Sequence, residues 1–176
     1  MTVDSEALQR QLAGLGISSA RLESRGLHPF AEAGRLEVVQ TDDDGREHQL
    51  TPEAAAAWRH LHRAAEEDGV ILFIASAFRG IERQIQIIQR KLDAGQSLEA
   101  ILAVNAPPGY SEHHSGRAVD IGTPDDPLLE ASFADTPAFA WLVRRAGEFG
   151  FVLSYPEGNQ SGYRCEPWHW CYHTPG

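Results

Sequence analysis

Apolar residues fall at helical spacing in some stretches and at strand spacing in others, and together they predict a mixed chain. Leu8, Leu12 and Leu15 predict a short helix over Ser5 to Leu15, ended by Gly14 and Gly16. Leu36 to Gln40 reads as a strand running into the turn Asp42-Asp43-Asp44-Gly45, whose Asp-Gly step is a strong hairpin signal. Thr51 as cap and Pro52 at the first helical position start a helix that continues to about Asp68, with Ala54, Trp58, Leu61 and Ala65 on its apolar face. Val70 to Ala75 is an unbroken apolar run with the length of a buried strand. A second long helix is predicted from Ile81 to Leu92, facing inward through Ile81, Ile85, Ile88 and Leu92, and a shorter piece from Ser97 to Val104. Asn105 to Tyr110, with two prolines and a glycine, is stiff and non-helical. Gly116 to Gly122 alternates as a strand with Ala118 and Asp120 on one face, and Thr123 to Asp135 is a polar loop. A helix from Pro137 to Glu148 is expected to pack through Phe139, Leu142, Val143 and Ala146. Strands at Phe151 to Tyr155 and Gly162 to Tyr172 complete the pattern.

Length and composition narrow this to one domain over residues 1–176, with an N-terminal extension at 1–45 and a motif-bearing core at 70–173. A 42% hydrophobic content is that of an ordinary soluble protein, and the net charge of -10 argues against a nucleic-acid or anionic-membrane partner. The expected state is a monomer. Met1 to Leu15 lacks the basic and apolar regions of a signal peptide, and no stretch is long and apolar enough for a bilayer, so a cytoplasmic location is expected. Cys165 and Cys171 would lie roughly 20 Å apart in an extended segment, too far for a disulfide. The acidic run 42–44 lacks the later oxygen ligands of a calcium loop and reads as solvated. His60 and His62 sit two apart on a helix, face different sides, and read as surface residues.

The chemistry concentrates in Ser111-Glu112-His113-His114-Ser115-Gly116-Arg117-Ala118-Val119-Asp120 and in Glu166-Pro167-Trp168-His169. His113, Asp120 and His169 make a plausible three-ligand zinc set, which leaves a fourth position for water as in catalytic sites. A turn at Ser115-Gly116 lets the loop histidine fold back over the strand carboxylate. Glu166 stands three residues before the last ligand, where a carboxylate beside the metal can move a proton. His114 neighbours a ligand but is expected to point the other way. His173 reads as surface or as a neighbour of the ligands, and Trp168 and Trp170 as core or pocket wall.

The order Ser-x-His-x-x-Gly-x-Ala-x-Asp followed by Glu-x-Trp-His resembles the zinc D,D- and L,D-carboxypeptidases of the VanY type, a group that includes the VanX dipeptidases and shares a fold with Hedgehog domains. The resemblance extends through Ser76-Ala77-Phe78-Arg79 with Gln84, through 106–113, Phe149-Gly150-Phe151, Tyr155-Pro156 and Gly162-Tyr163. It implies an α+β fold, a small antiparallel sheet carrying the zinc site with helices on its other face. It implies one Zn2+ held by His113, Asp120 and His169, Glu166 as the catalytic base and Arg79 at the oxyanion. Ser111 and Gln84 match positions that contact the substrate's terminal carboxylate. The implied activity is removal of a C-terminal D-alanine from peptidoglycan-derived stem peptides, in D,D or L,D fashion, with recycled muropeptides or precursors as the peptides a cytoplasmic enzyme would meet. A phage-type endolysin cleaving L-Ala-D-Glu shares the motif but usually carries a basic wall-binding module, and a non-catalytic zinc module would lack Glu166, Arg79 or Gln84. Phe78 stands where the family often has tyrosine, Arg117 replaces a commonly apolar residue and is expected to be exposed, and residues 1–45 match no familiar pattern.

Overall fold

The computed structural model describes residues 6–127 and 129–174. In chain order its elements are α1 (Glu6–Gly14), α2 (Ser19–Ser24), β1 (Glu37–Thr41), β2 (Glu47–Leu50), α3 (Pro52–Glu67), β3 (Phe73–Ser76), α4 (Ile81–Asp93), α5 (Leu98–Leu102), β4 (Ala118–Gly122), α6 (Pro137–Arg145), β5 (Phe151–Leu153) and β6 (His169–Tyr172). Four strands form an antiparallel sheet in the order β3-β4-β6-β5, and β1-β2 is a separate hairpin. The expected α+β architecture, a small antiparallel sheet flanked by helices, is the one observed.

Strand alternation divides the sheet into two functional faces. Val119, Ile121, Trp170, Tyr172 and Phe151 point into a core with Trp58, Leu61, Ala65, Leu142 and Phe133, so α3 and α6 cover that side. Ala118, Asp120, His169 and Cys171 have the opposite parity and point away from it. A second cluster packs Leu8, Leu12 and Leu22 of the N-terminal helices against Ile81, Ile88, Ile101 and Leu102 of α4 and α5. Each of the fully buried large side chains in these clusters would cost about 2–5 kcal/mol on truncation to alanine.

Several expectations shift. The run 70–75 is a strand only from Phe73, and Ile71 is 64% exposed. β3 is the edge of an antiparallel sheet with one face on the core, so its residues alternate instead of being buried on both sides. Its free edge is met by the hairpin: Gln40 Nε2 donates to the Ile74 carbonyl at 2.8 Å while the Ile74 amide donates to Gln40 Oε1 at 2.7 Å. The helix 137–148 divides into α6 and a 3-10 turn over Ala146–Phe149. It buries Ala138, Trp141 and Leu142, leaving Val143 60% exposed. In the last region only His169–Tyr172 is strand, because residues 156–163 are wound around the Asn159 side chain, which bonds Pro156 O and both backbone groups of Tyr163. Thr51 starts α3 without a side-chain cap bond and instead donates its backbone N–H to Gly116 O at 2.8 Å. Cys165 and Cys171 are unbridged, as expected, the first exposed and the second buried. His60 is exposed, and His62 is half-buried with Nε2 3.0 Å from Leu72 O. Among the described residues no helix is long and apolar enough to cross a membrane.

The acidic turn is exposed over residues 43–45, as expected of a solvated loop, with its first residue, Asp42, tied down. Asp42 accepts hydrogen bonds from His48 Nε2 and Gln40 Nε2, both at 2.8 Å, and these two bonds, His48 first, hold its carboxyl below the ordinary value of 3.8. A depressed folded pKa stabilises the fold fully above the unfolded pKa and loses that contribution as pH falls through the folded value. The stability advantage of the wild type over Asp42→Asn, read as urea midpoints, is therefore expected to be complete above about pH 5 and to shrink as pH falls below it.

Candidate metal centre and active site

The antiparallel register sets Asp120 of β4 directly opposite His169 of β6, and both point out of the core face. His113 reaches them from a 3-10 turn, Glu112–Ser115, that Gly116 closes in the left-handed region at φ 65°. A Cβ at Gly116 would also lie 2.9 Å from Leu36 Cδ2 and 3.0 Å from Ala33 Cβ, so the turn depends on glycine twice over. The three side chains are almost wholly buried, and one donor atom from each meets the others within 4.8 Å.

Hydrogen bonds fix which nitrogen each imidazole presents. His113 Nδ1 lies 2.7 Å from the Ala77 carbonyl, which can only accept, so Nδ1 carries the proton and Nε2 faces Asp120 Oδ2 at 3.2 Å. His169 Nε2 lies 2.9 Å from Glu112 Oε2, and its Nδ1 lies 2.8 Å from Asp120 Oδ1. Ser154 Oγ donates to the same Glu112 oxygen at 2.6 Å. Burial opposes charge on His169, but the bonds to Asp120 and Glu112 prevail and push its pKa up to about 10. Burial likewise opposes the Asp120 carboxylate, and His113 and His169 hold it well below its usual range all the same. The centre is thus arranged to hold positive charge between His113 Nε2, Asp120 and His169 Nδ1. Two imidazole nitrogens and a carboxylate oxygen are a donor set suited to a small divalent metal such as zinc.

These residues line a cavity of about 320 Å³ together with Arg79, Gln84, Ser111 and Glu166. All seven residues singled out from the sequence therefore share one pocket. Glu166 Oε2 lies 3.9 Å from His169 Nδ1, and burial, reinforced by Asp120 and opposed by His169 and Arg79, raises its pKa to about 7. Arg79 is pulled down by burial and held up by Asp120 and Glu166, and its Nε is buried without a partner. Gln84 differs from expectation in what it offers. Its Nε2 donates to the Ala106 carbonyl at 2.6 Å, so the atom left buried and unpaired is the acceptor Oε1.

Sequence reasoning missed several neighbours. Glu112 has its partner, His169, 57 residues away, so nothing local in the sequence signals the contact. Tyr155 and Tyr163 line the cavity, the first with its ring 4.8 Å from that of His169 and the second 4.9 Å from Tyr155. His114 does turn from the candidate metal ligands, but into the interior: its Nδ1 bonds the Arg79 carbonyl and its Nε2 accepts from Gly109 N at 3.1 Å. Burial pushes its pKa down to about 4, so it acts as a neutral cross-link. Trp168 lines the cavity, Trp170 lies in the core, Arg117 is half-buried and His173 is exposed. The N-terminal segment braces the site as well. Phe30 and Ala33 donate backbone N–H groups to Gly109 O and His114 O, at 2.8 and 2.9 Å, and Glu32 Oε1 accepts from Ile81 N at 2.6 Å at the start of α4. Arg25 bonds Ser161 O and Leu102 O and stacks 4.4 Å over the Tyr163 ring.

The model of the VanY family, described as D-alanyl-D-alanine carboxypeptidase, matches residues 47–175. The putative carboxypeptidase YodJ of Bacillus subtilis (strain 168) is 32% identical over 126 residues, which cover 70% of this chain and 46% of YodJ. The chain spans about half the length of the curated relatives it matches. Among solved structures, the LdcB LD-carboxypeptidase superposes with a TM-score of 0.66 at 28% identity, covering 82% of this chain and 65% of LdcB. A mutant of the vancomycin-resistance D,D-pentapeptidase VanY, in complex with Zn(II), superposes with a TM-score of 0.64 at 27% identity, covering 82% of this chain and 83% of that one.

A carboxylate that fixes the tautomer and angle of a ligating histidine typically accounts for about 10–100-fold in metal affinity. Glu112→Gln is expected to weaken binding of a divalent metal by a factor in that range with an unchanged circular dichroism spectrum, as read by competition with a chromogenic chelator.

Proposed function

Because the chain belongs to the VanY family of D-alanyl-D-alanine carboxypeptidases, we propose that it removes a C-terminal D-amino acid, chiefly D-alanine, from peptidoglycan stem peptides at a site holding one zinc ion. The observation that carries this reading is the meeting of His113, Asp120 and His169 with Glu166 and Arg79 in one cavity. Zinc held by the first three would supply a Lewis acid for the scissile carbonyl and acidify a water.

The chain's own residues provide the rest. Glu166, beside His169 and raised towards neutrality by burial, accepts the proton of the attacking water and returns it to the departing amine. Its carboxyl is poised for both tasks, since a group with a pKa of about 7 gives and takes a proton with little bias near neutral pH. Arg79 offers its buried, unpaired Nε to the carbonyl oxygen as negative charge develops there. Ser111, buried at the head of the ligand turn, and Gln84 bind the end of the peptide. The similarity to both an LD-carboxypeptidase and a D,D-pentapeptidase supports tetrapeptides and pentapeptides alike as substrates.

D-Alanine release from tetrapeptide and from pentapeptide by the purified protein tests the reading, and release from neither overturns it. A chelator is expected to abolish release, and added zinc to restore it. Glu166→Ala is expected to lower kcat by about 100- to 10,000-fold while zinc, counted by atomic emission, stays bound. Full activity in that variant would remove Glu166 from the mechanism.

A further inference from the structure

Of the chain's fifteen Lys and Arg residues only Lys91 is a lysine, and it lies in the wall of the cavity just described. Resting on the peptidase reading, we infer that Lys91 is a specificity determinant that binds a carboxylate of the peptide substrate through its ammonium group.

The geometry begins on α4. Gln84 and Lys91 are seven residues apart, two helical turns, and so lie on one face. Their side chains do not spread along that face but converge on consecutive residues of the 105–110 segment. Gln84 Nε2 donates to Ala106 O at 2.6 Å, and Lys91 Nζ donates to Asn105 Oδ1 at 3.2 Å. Asn105 is itself fixed, its Nδ2 donating to Ile101 O at 2.9 Å, which leaves Oδ1 turned to the ammonium. The lysine is thus held beside Gln84 in the pocket wall.

Held there, its charge is unmatched. An ammonium has three donors, and one is used on a neutral amide oxygen. Lys91 takes part in none of the ion pairs between described residues. Burial, and after it the nearness of Arg79, disfavour its charged form, a cost that an incoming anion relieves. Ser111 and Tyr163 offer the cavity neutral hydroxyls, which can bond a carboxylate without matching its charge. Arg79 sits in the field of Asp120 and Glu166, which match its charge. Gln84 presents an unpaired acceptor, Oε1, which suits a peptide N–H and repels a carboxylate. A peptide that places a carboxylate against this wall therefore finds its counter-charge in Lys91. Two sources share that chemistry, the C-terminal carboxylate and a carboxylate on a side chain of the stem.

Three probes separate them: acetyl-L-lysyl-D-alanyl-D-alanine, its C-terminal carboxamide, and the analogue with diaminopimelate in place of lysine, which adds a side-chain carboxylate. Dissociation constants are measured by calorimetry on zinc-loaded full-length protein carrying Glu166→Ala, with and without Lys91→Met, and on a Lys91→Arg control. If Lys91 reads the C-terminus, Lys91→Met weakens the two free acids about tenfold, a loss of about 1.4 kcal/mol, and leaves the carboxamide unchanged. If it reads the side chain, the loss appears with the diaminopimelate peptide alone. Lys91→Arg retains most of the affinity in either case. An equal effect on all three peptides, or none, overturns the inference while the D-alanine release assay on the unmutated protein still upholds the peptidase reading. Failure of all three to bind the Lys91-containing protein overturns both.

Discussion

The antiparallel pairing of β4 with β6 is the constraint on which the site depends, because it places Asp120 across from His169 with no loop between them. Both residues ride on strands whose opposite faces carry Val119, Ile121 and Trp170 into the core. Packing on one side therefore fixes the positions of Asp120 and His169 on the other. A slip of one residue in that register would turn Asp120 into the core and Val119 to the site, so the hydrophobic pattern itself protects the chemistry.

Around this pair the structure resolves a conflict between burial and charge. Asp120, Glu112, Glu166, Arg79 and three histidines lie largely out of water, where each charged form is costly alone. The conflict is settled differently at each position. Glu112 keeps its charge because His169 and Ser154 bond to it, whereas Glu166 accepts no such bond among the described residues and moves towards neutrality. His114 is resolved by staying neutral between a carbonyl and an amide. Two carboxylates beside the same imidazole, that of His169, thus take opposite characters, one charged and hydrogen-bonded to it and the other close to neutrality.

Much of this was legible in the amino-acid order, and the exceptions have common causes. Helices with a clear apolar stripe, such as α3 and α4, appear within a residue or two of expectation because their own spacing dictates the buried face. The pocket residues were legible because the Ser111–Asp120 and Glu166–His169 motifs compress the candidate ligands and the proposed base into short segments. What the sequence concealed was whatever depends on a partner far along the chain. Ile71 is exposed because it precedes β3, whereas Ile74 within the strand turns into the core, and Val143 is exposed because α6 presents Trp141 to the core instead. Glu112, the acceptor face of Gln84 and the bracing by residues 25–33 belong to the same class. None leaves a periodic trace, since each contact joins residues whose spacing carries no information.

The side chain of Gln40 has a consequence for what can pair with the β3 margin of the sheet. By offering one acceptor and one donor to the backbone of Ile74, it imitates a neighbouring strand at the exposed margin of the sheet. Many peptide-binding domains capture their ligands by β-augmentation, lengthening a sheet through main-chain hydrogen bonds that are indifferent to sequence. Here that margin is already engaged by the protein's own amide, and the same device protects it from adventitious strand pairing between molecules.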